Sequence, residues 1–330
     1  MNGIERMDKP SRWPVWSVAG LVVLLAAGLV WQRFHRAVPV PPSEALAVPL
    51  SASSSTPELE PAATAAVAEV AAPVVQVPAV PIVLSSTNPA ALTLAAEADA
   101  LLADGKKDKA REQYLAALEA RPDDALRVNL EEKAGALNVE LIRLPWPMPE
   151  KQEVVVAEGD SIKGLARKFG TTVELIVKGN ELKRPDIIRP GQRLKVFSGK
   201  MEIRASKGRH DLLLTANGRF FKRYRVGMGR YEKTPVGTFV ITDRIPEPPW
   251  WRDDGKTIPF GDKENILGTR WMAIKATGNT REIKGYGIHG TWDTASIGKS
   301  ESSGCIRLKN EDVEELFELV QVGTPVIIEE

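Results

Sequence analysis

The chain has 330 residues, a formal net charge of +1, 3 histidines and a single cysteine. Near-neutrality gives nucleic-acid binding no support, because phosphate recognition draws on a basic excess. One thiol excludes an internal disulfide, and one cysteine with 3 histidines is too small a set for a zinc site, so no metal or cofactor is expected.

The length suggests two or three modules. Residues 1–14 carry Arg6, Lys9 and Arg12 and read as a cytoplasmic N-terminus. Residues 15–31 form an uncharged run, VWSVAGLVVLLAAGLVW, at the short end of what spans a bilayer, with Trp13, Trp16 and Trp31 near its ends as interfacial anchors. A cleaved signal peptide is the alternative. The run is followed by Gln32, Arg33, Phe34, His35 and Arg36 instead of small residues, which favours an uncleaved transmembrane helix. Residues 32–88 are rich in Ala, Pro, Val and Ser and poor in aromatics, so they cannot build a core and read as a disordered linker. Its prolines favour extended backbone, giving a reach on the order of 100 Å if half extended.

Residues 89–145 change character. Leu92, Ala95, Ala98, Leu101 and Leu102 recur at helical spacing until Gly105 breaks the run. A second helix carries Ala110, Tyr114, Ala117 and Leu118 and ends before Pro122, and a third starts near Asp123 with Leu126, Leu130, Leu137 and Leu141 inward. The first pair resembles a single tetratricopeptide-like hairpin. One such unit normally needs neighbours, so a spacer packed on the next domain outweighs a surface for a protein partner.

In residues 153–197 a Val run opens as a strand. Asp160 and Ser161 cap a helix with Ile162, Leu165, Ala166 and Phe169 on its apolar face, and Thr171 with Glu174 forms a capping box for a second short helix. Pro190-Gly191 makes a turn before a closing strand at 194–197. This βααβ layout, with its GDS, the turn at Asn180 and the PGQRL run, resembles a LysM module. The resemblance implies binding of N-acetylglucosamine-containing glycan, most simply peptidoglycan. Contacts are expected at Asp160, Ser161, Ile162, Asn180 and Pro190, in a groove between the 159–162 and 180–190 loops. The bland alternative is a small structural domain that has lost binding.

Residues 200–330 read as mostly β and sandwich-like, with strands near 212–216, 224–226, 238–242, 271–274 and 326–328 and one helix at 311–320. The segment 246–260 is polar and proline-rich and contains Trp250-Trp251. It reads as a lid or substrate loop, against simple packing of the tryptophans over a sheet edge.

Residues 286–308, YGIHGTWDTASIGKSESSGCIRL, hold the only cysteine, Cys305, and His289. A lone cysteine is most often a small buried hydrophobe and a lone histidine a satisfied one. Here a short β-branched run leads into His289, Gly304 turns the chain just before Cys305, and Arg307 adds a positive charge that favours thiolate. That context suggests a Cys–His nucleophile pair. The run HGTW…SIGKSESSGCIRL, with TPVGTFVITDRIPEPPWW and NILGTRWMAI before it, resembles the L,D-transpeptidase (YkuD) family over residues 200–330. The resemblance implies Cys305 as nucleophile and His289 as base. It also implies Gly290 as the carbonyl that orients the base, and Gly304 with Cys305 as the oxyanion backbone. Arg307, Tyr286, Ser302, Trp250 and Trp251 are the expected substrate contacts. Many relatives carry histidine just before the Gly-Cys pair; this chain has Ser303, which leaves His289 as sole base. The resemblance also implies acylation of the cysteine by carbapenems.

The expectation is therefore a multi-domain chain: N-terminal transmembrane helix, disordered linker, small α-helical hairpin region, LysM module and mostly-β catalytic domain. It would sit in the inner membrane, facing the cell wall, and cross-link peptidoglycan stem peptides. Hydrolysis of the same acyl-enzyme, giving a carboxypeptidase or endopeptidase, and a non-catalytic LysM wall anchor are the alternatives.

Overall fold

The computed structural model describes residues 88–330, apart from 185, 186, 232, 253 and 283. The expected membrane run and linker lie outside the described residues. Among the described residues, no helix is long and apolar enough to cross a membrane.

Three helices come first: α1 (Pro89–Ala103), α2 (Lys107–Glu119) and α3 (Asp124–Ile142). The Asn88 side chain caps α1 by accepting from the Ala90 N–H at 3.0 Å, and its amide donates to the Ala120 carbonyl at 2.7 Å, tying the start of α1 to the end of α2. Ala98, Tyr114, Leu115, Leu130, Ala134 and Leu137 form one core, whereas Leu92 of the expected stripe is exposed. The region also packs on the next domain. The buried Asn138 amide on α3 donates to the Phe221 carbonyl at 2.8 Å, and Glu131 receives Arg223 at 2.6 and 2.8 Å. These groups cover the end strand of the large sheet, which would otherwise present unpaired backbone to solvent.

The next unit pairs β1 (Lys151–Val155) with β2 (Arg193–Phe197) antiparallel, enclosing α4 (Ile162–Phe169) and α5 (Val173–Lys178). Val156, Ile162, Leu165, Ile176, Leu194 and Val196 make its own core. Ser161 caps α4 as expected, through the Gly164 N–H at 3.1 Å. The cap of α5 is Thr172, not Thr171. Thr172 Oγ1 accepts from the Leu175 N–H at 3.1 Å and donates to the Glu318 carbonyl at 2.7 Å, so a tertiary bond sets the helix start. Glu318 also receives Arg143 at 3.0 Å and Lys178 at 2.6 Å, joining helical region, βααβ unit and the β-rich domain.

The remaining strands are β3 (Met201–Ser206), β4 (Asp211–Ala216), β5 (Arg219–Arg225), β6 (Met228–Gly229), β7 (Gly237–Pro246), β8 (Trp250–Trp251), β9 (Thr257–Ile258), β10 (Arg270–Ala276), β11 (Gly287–His289), β12 (Ser300–Ser302), β13 (Ile306–Arg307) and β14 (Pro325–Glu329), with α6 (Asn310–Leu319) between the last two. Instead of two comparable facing sheets, eight of them form one mixed sheet in the order β13-β11-β10-β7-β14-β3-β4-β5, and β12-β6 and β8-β9 are separate short pairs. Cover for the core comes from α6, whose Val313, Leu316 and Phe317 join Ile241, Met272, Ile288 and Ile306.

Candidate active site

The turn that delivers Cys305 is braced from both sides. Ser302 is buried; its Oγ donates to the Cys305 carbonyl at 2.7 Å and accepts from the Gly304 N–H at 3.0 Å. Thr234 Oγ1 donates to the Gly304 carbonyl at 2.9 Å and accepts from the Gly229 N–H at 2.7 Å. Gly304 has φ +132°, and a Cβ there would lie 2.1 Å from the Tyr286 ring, so no other residue fits.

Beyond the turn, β13 pairs parallel with β11 in the register Ile288↔Ile306 and His289↔Arg307. Alternation along a strand then sorts the side chains. Ile288 and Ile306 are fully buried in the core, while His289, Cys305 and Arg307 line a common cleft of about 330 Å³ on the other side. Two very short strands thus bring together residues well separated in the sequence.

His289 Nδ1 sits 2.6 Å from the Gly290 carbonyl. A carbonyl only accepts, so Nδ1 carries the proton and Nε2 is the basic nitrogen. Burial drives the imidazole pKa down to about 4, with the Arg307 charge adding to the effect. Burial pushes the Cys305 thiol up; the Gly287 N–H directed at the sulfur and the Arg307 charge oppose that push without cancelling it. The expected pull of Arg307 toward thiolate is present but outweighed. At neutral pH the resting pair is a thiol and a neutral imidazole.

Trp250, Trp251, Ser302 and Arg307 all line the cleft. Trp250 and Trp251 form β8 of a small hairpin with β9, and the Arg252 guanidinium lies 5.5 Å over the Trp250 ring. Arg307 Nε is buried with no hydrogen-bond partner among the described residues. Three expectations need correction. Tyr286 does not line the cleft; its ring packs on Gly304. The Ser302 hydroxyl is consumed by the turn and has no donor left for substrate. The Gly304 N–H is given to Ser302, so it is not available to an oxyanion. The sequence reading missed Trp271, Leu267 and Ser303 as cleft residues. Of these, Trp271 lies beside His289, with ring centroids 5.7 Å apart and planes tilted by 32°.

The expected glycan contacts divide in the same way. Asn180 donates to the Ile176 and Lys195 carbonyls at 2.8 Å and accepts from the Lys195 N–H at 2.7 Å, and Ile162 is buried, so both serve the fold instead of a surface groove. Ser161 is the helix cap, and Asp160 accepts from the Ala157 N–H at 2.8 Å. Pro190 does line a surface groove, together with Leu182, Ile187 and Arg189.

The family model YkuD, the L,D-transpeptidase catalytic domain, matches residues 200–328, and the LysM domain model matches residues 154–197. The chain is 37% identical over 131 residues to the putative L,D-transpeptidase YqjB of Bacillus subtilis (strain 168), covering 39% of this chain and 72% of that protein. It is 31% identical over 180 residues to the putative L,D-transpeptidase YkuD of the same organism, covering 52% of this chain and 96% of that protein. Among solved structures, an L,D-transpeptidase from Mycobacterium tuberculosis H37Rv aligns with 21% identity and a TM-score of 0.33, over 45% of this chain and 74% of that one. With its catalytic cleft preceded by a LysM domain, the chain belongs to the YkuD family of L,D-transpeptidases.

Proposed function

We propose that the protein is a membrane-anchored peptidoglycan L,D-transpeptidase that works through an acyl-enzyme on Cys305. The observation that carries this is the placement of Cys305 and His289 on one side of two adjacent parallel strands, in a cleft that also holds Arg307. His289 Nε2 takes the thiol proton as sulfur attacks the donor stem-peptide carbonyl between an L-centre and a D-residue. Burial disfavours the charged form of both groups, so proton transfer accompanies attack. The tetrahedral oxyanion is assigned to the Cys305 N–H, which makes no backbone hydrogen bond among the described residues. His289 returns the proton to the departing D-amino acid, leaving a thioester. An acceptor amine, relieved of a proton by the same imidazole, then attacks, and the thiol is regenerated with a new peptide bond.

Arg307 Nε offers an unspent donor for a substrate carboxylate, in the bidentate manner guanidinium favours. The LysM domain holds glycan strands near the cleft and raises the local substrate concentration without taking part in the chemistry. Residues 15–31 anchor the chain in the inner membrane, and residues 32–88 let the folded part reach the cell wall. The helical region braces the end strand β5 through Asn138 and Glu131.

The test is incubation of the full chain with donor and acceptor stem peptides, with products identified by mass. Cross-linked dimer is expected. Trimmed monomer alone would assign the acyl-enzyme to hydrolysis, and unchanged peptide would refute catalysis.

A further inference from the structure

The sheet carries Trp271, His289 and Arg307 in one row across β10, β11 and β13, through the registers Trp271↔His289 and His289↔Arg307. The Trp271 indole is tilted 32° to the imidazole, with centroids 5.7 Å apart. The same indole covers Gly287: a Cβ at that position would lie 2.7 Å from two of its ring carbons. A flat ring therefore spans Gly287 and His289 on β11, and glycine at 287 lets it lie that close.

This geometry limits what the imidazole can do. Its Nδ1 side is tied to the Gly290 carbonyl, and one ring face is covered by indole. Rotation about χ2 would have to push the indole aside, so the ring that lines the cleft keeps its orientation. The other groups facing the ring are the Arg307 guanidinium, the Cys305 thiol and the Leu267 carbonyl. The Leu267 carbonyl adds a second backbone hydrogen bond to the ring, and the indole is the flat group beside it. The indole also keeps water from that ring face, and its π-face still tolerates the imidazolium formed when the thiol proton is taken.

We propose that Trp271 is a positioning residue for the reaction, its indole holding the His289 ring in one orientation with Nε2 aimed at Cys305. The proposal rests on the reading of His289 as the base. It assigns Trp271 no direct chemical step.

The experiment compares Trp271→Leu and Trp271→Phe in the full chain, using the donor–acceptor peptide assay from about pH 4 to about pH 8, across the ordinary histidine range. Trp271→Leu keeps apolar bulk but has no flat face. Its kcat should fall about 10- to 100-fold, the scale of a misplaced catalytic group, with KM within about twofold. Water reaching the imidazole should also raise the acid limb of its pH profile from about 4 toward the ordinary value of about 6.5. Trp271→Phe should restore most of the rate and the low acid limb. If Trp271→Leu loses its circular dichroism, Trp271→Met takes its place against Trp271→Phe, and equal rates and acid limbs in those two would overturn the proposal. So would a wild-type kcat and pH profile in a folded Trp271→Leu. His289→Gln is measured alongside. Should it turn over at the wild-type rate, the base assignment fails and positioning fails with it. Should it be slow while folded Trp271→Leu is normal, positioning alone fails.

Discussion

The turn at Asn180 in the LysM domain and the turn at Cys305 in the catalytic domain both carry the polar residues that stand out in the sequence, and the fold uses them differently. Asn180 spends its carbonyl and amide on the backbone of α5 and β2. Around Cys305, Ser302 and Thr234 are spent in the same way on the turn. Behind them, however, Arg307 Nε has no partner among the described residues, and the His289 ring, held at Nδ1, lines the cleft. A buried polar group without a partner costs free energy, and for Arg307, which lines the cleft, a substrate carboxylate would supply the missing bond. Spent residues should fail by unfolding, and unspent ones by losing chemistry.

The sharpest break in that comparison is at the thiol. Cys305→Ser should abolish turnover, because a hydroxyl beside a weakly basic imidazole lacks the nucleophilicity of sulfur. The fold should remain, since the turn is held by Ser302 and Thr234. Product mass and circular dichroism on the same sample check both halves, and near-wild-type turnover would remove Cys305 from the mechanism. His289→Gln should come next, at about 10² to 10⁴ in rate. For the native enzyme the imidazole stays neutral down to about pH 4, so activity should persist through mildly acidic solution and fall as pH drops through that value. An acid limb at the ordinary histidine pKa would place a solvated imidazole in the cleft instead of the buried one.

On the LysM side, Asn180→Ala should behave as a stability variant. It leaves the Lys195 N–H and two carbonyls short of partners, a loss of about 1–3 kcal/mol if they stay dry. Denaturant unfolding reports this directly. Binding to intact sacculi should fall only in proportion to the unfolded fraction, and a fully folded variant that no longer binds would return Asn180 to the groove.

How much of this was legible beforehand follows from range. Cys305 and His289 stand out because each is rare and set among glycines, and the long helices show their periods. The strands that join the pair, β11 and β13, have three and two residues, too few for any alternation to show. Their parallel pairing is what puts thiol and imidazole on one side. The roles of Ser302 and Gly304 depend on a hydrogen bond between them that residue type does not reveal. Trp271 meets His289 only through cross-strand register, and Thr172 outranks Thr171 as a cap because of a carbonyl on α6. In each case the deciding partner is tertiary, while local sequence reports only local preference.

The smallest effect should come from Arg307→Lys. Lysine keeps the positive charge that opposes the rise of the Cys305 pKa, so the thiol should titrate much as before. What it loses is the planar fork: Nε disappears, and with it the donor that has no partner among the described residues. Among the described residues that Nε makes no hydrogen bond, so unfolding free energy should stay within about 0.5 kcal/mol, as for substitutions that break no buried network. Acylation is the place to look. A carbapenem offers a strained carbonyl to the same thiol and a carboxylate to the same guanidinium, and this chain has a single cysteine to modify. Intact mass should show one adduct per chain in the wild type and in Arg307→Lys, and none in Cys305→Ala. The time course should separate the first two by about tenfold, the worth of one charge-assisted contact of about 1.4 kcal/mol. Equal rates would make Arg307 a modulator of the thiol's field only. A slowed rate with unchanged stability would identify it as a donor held in reserve for substrate.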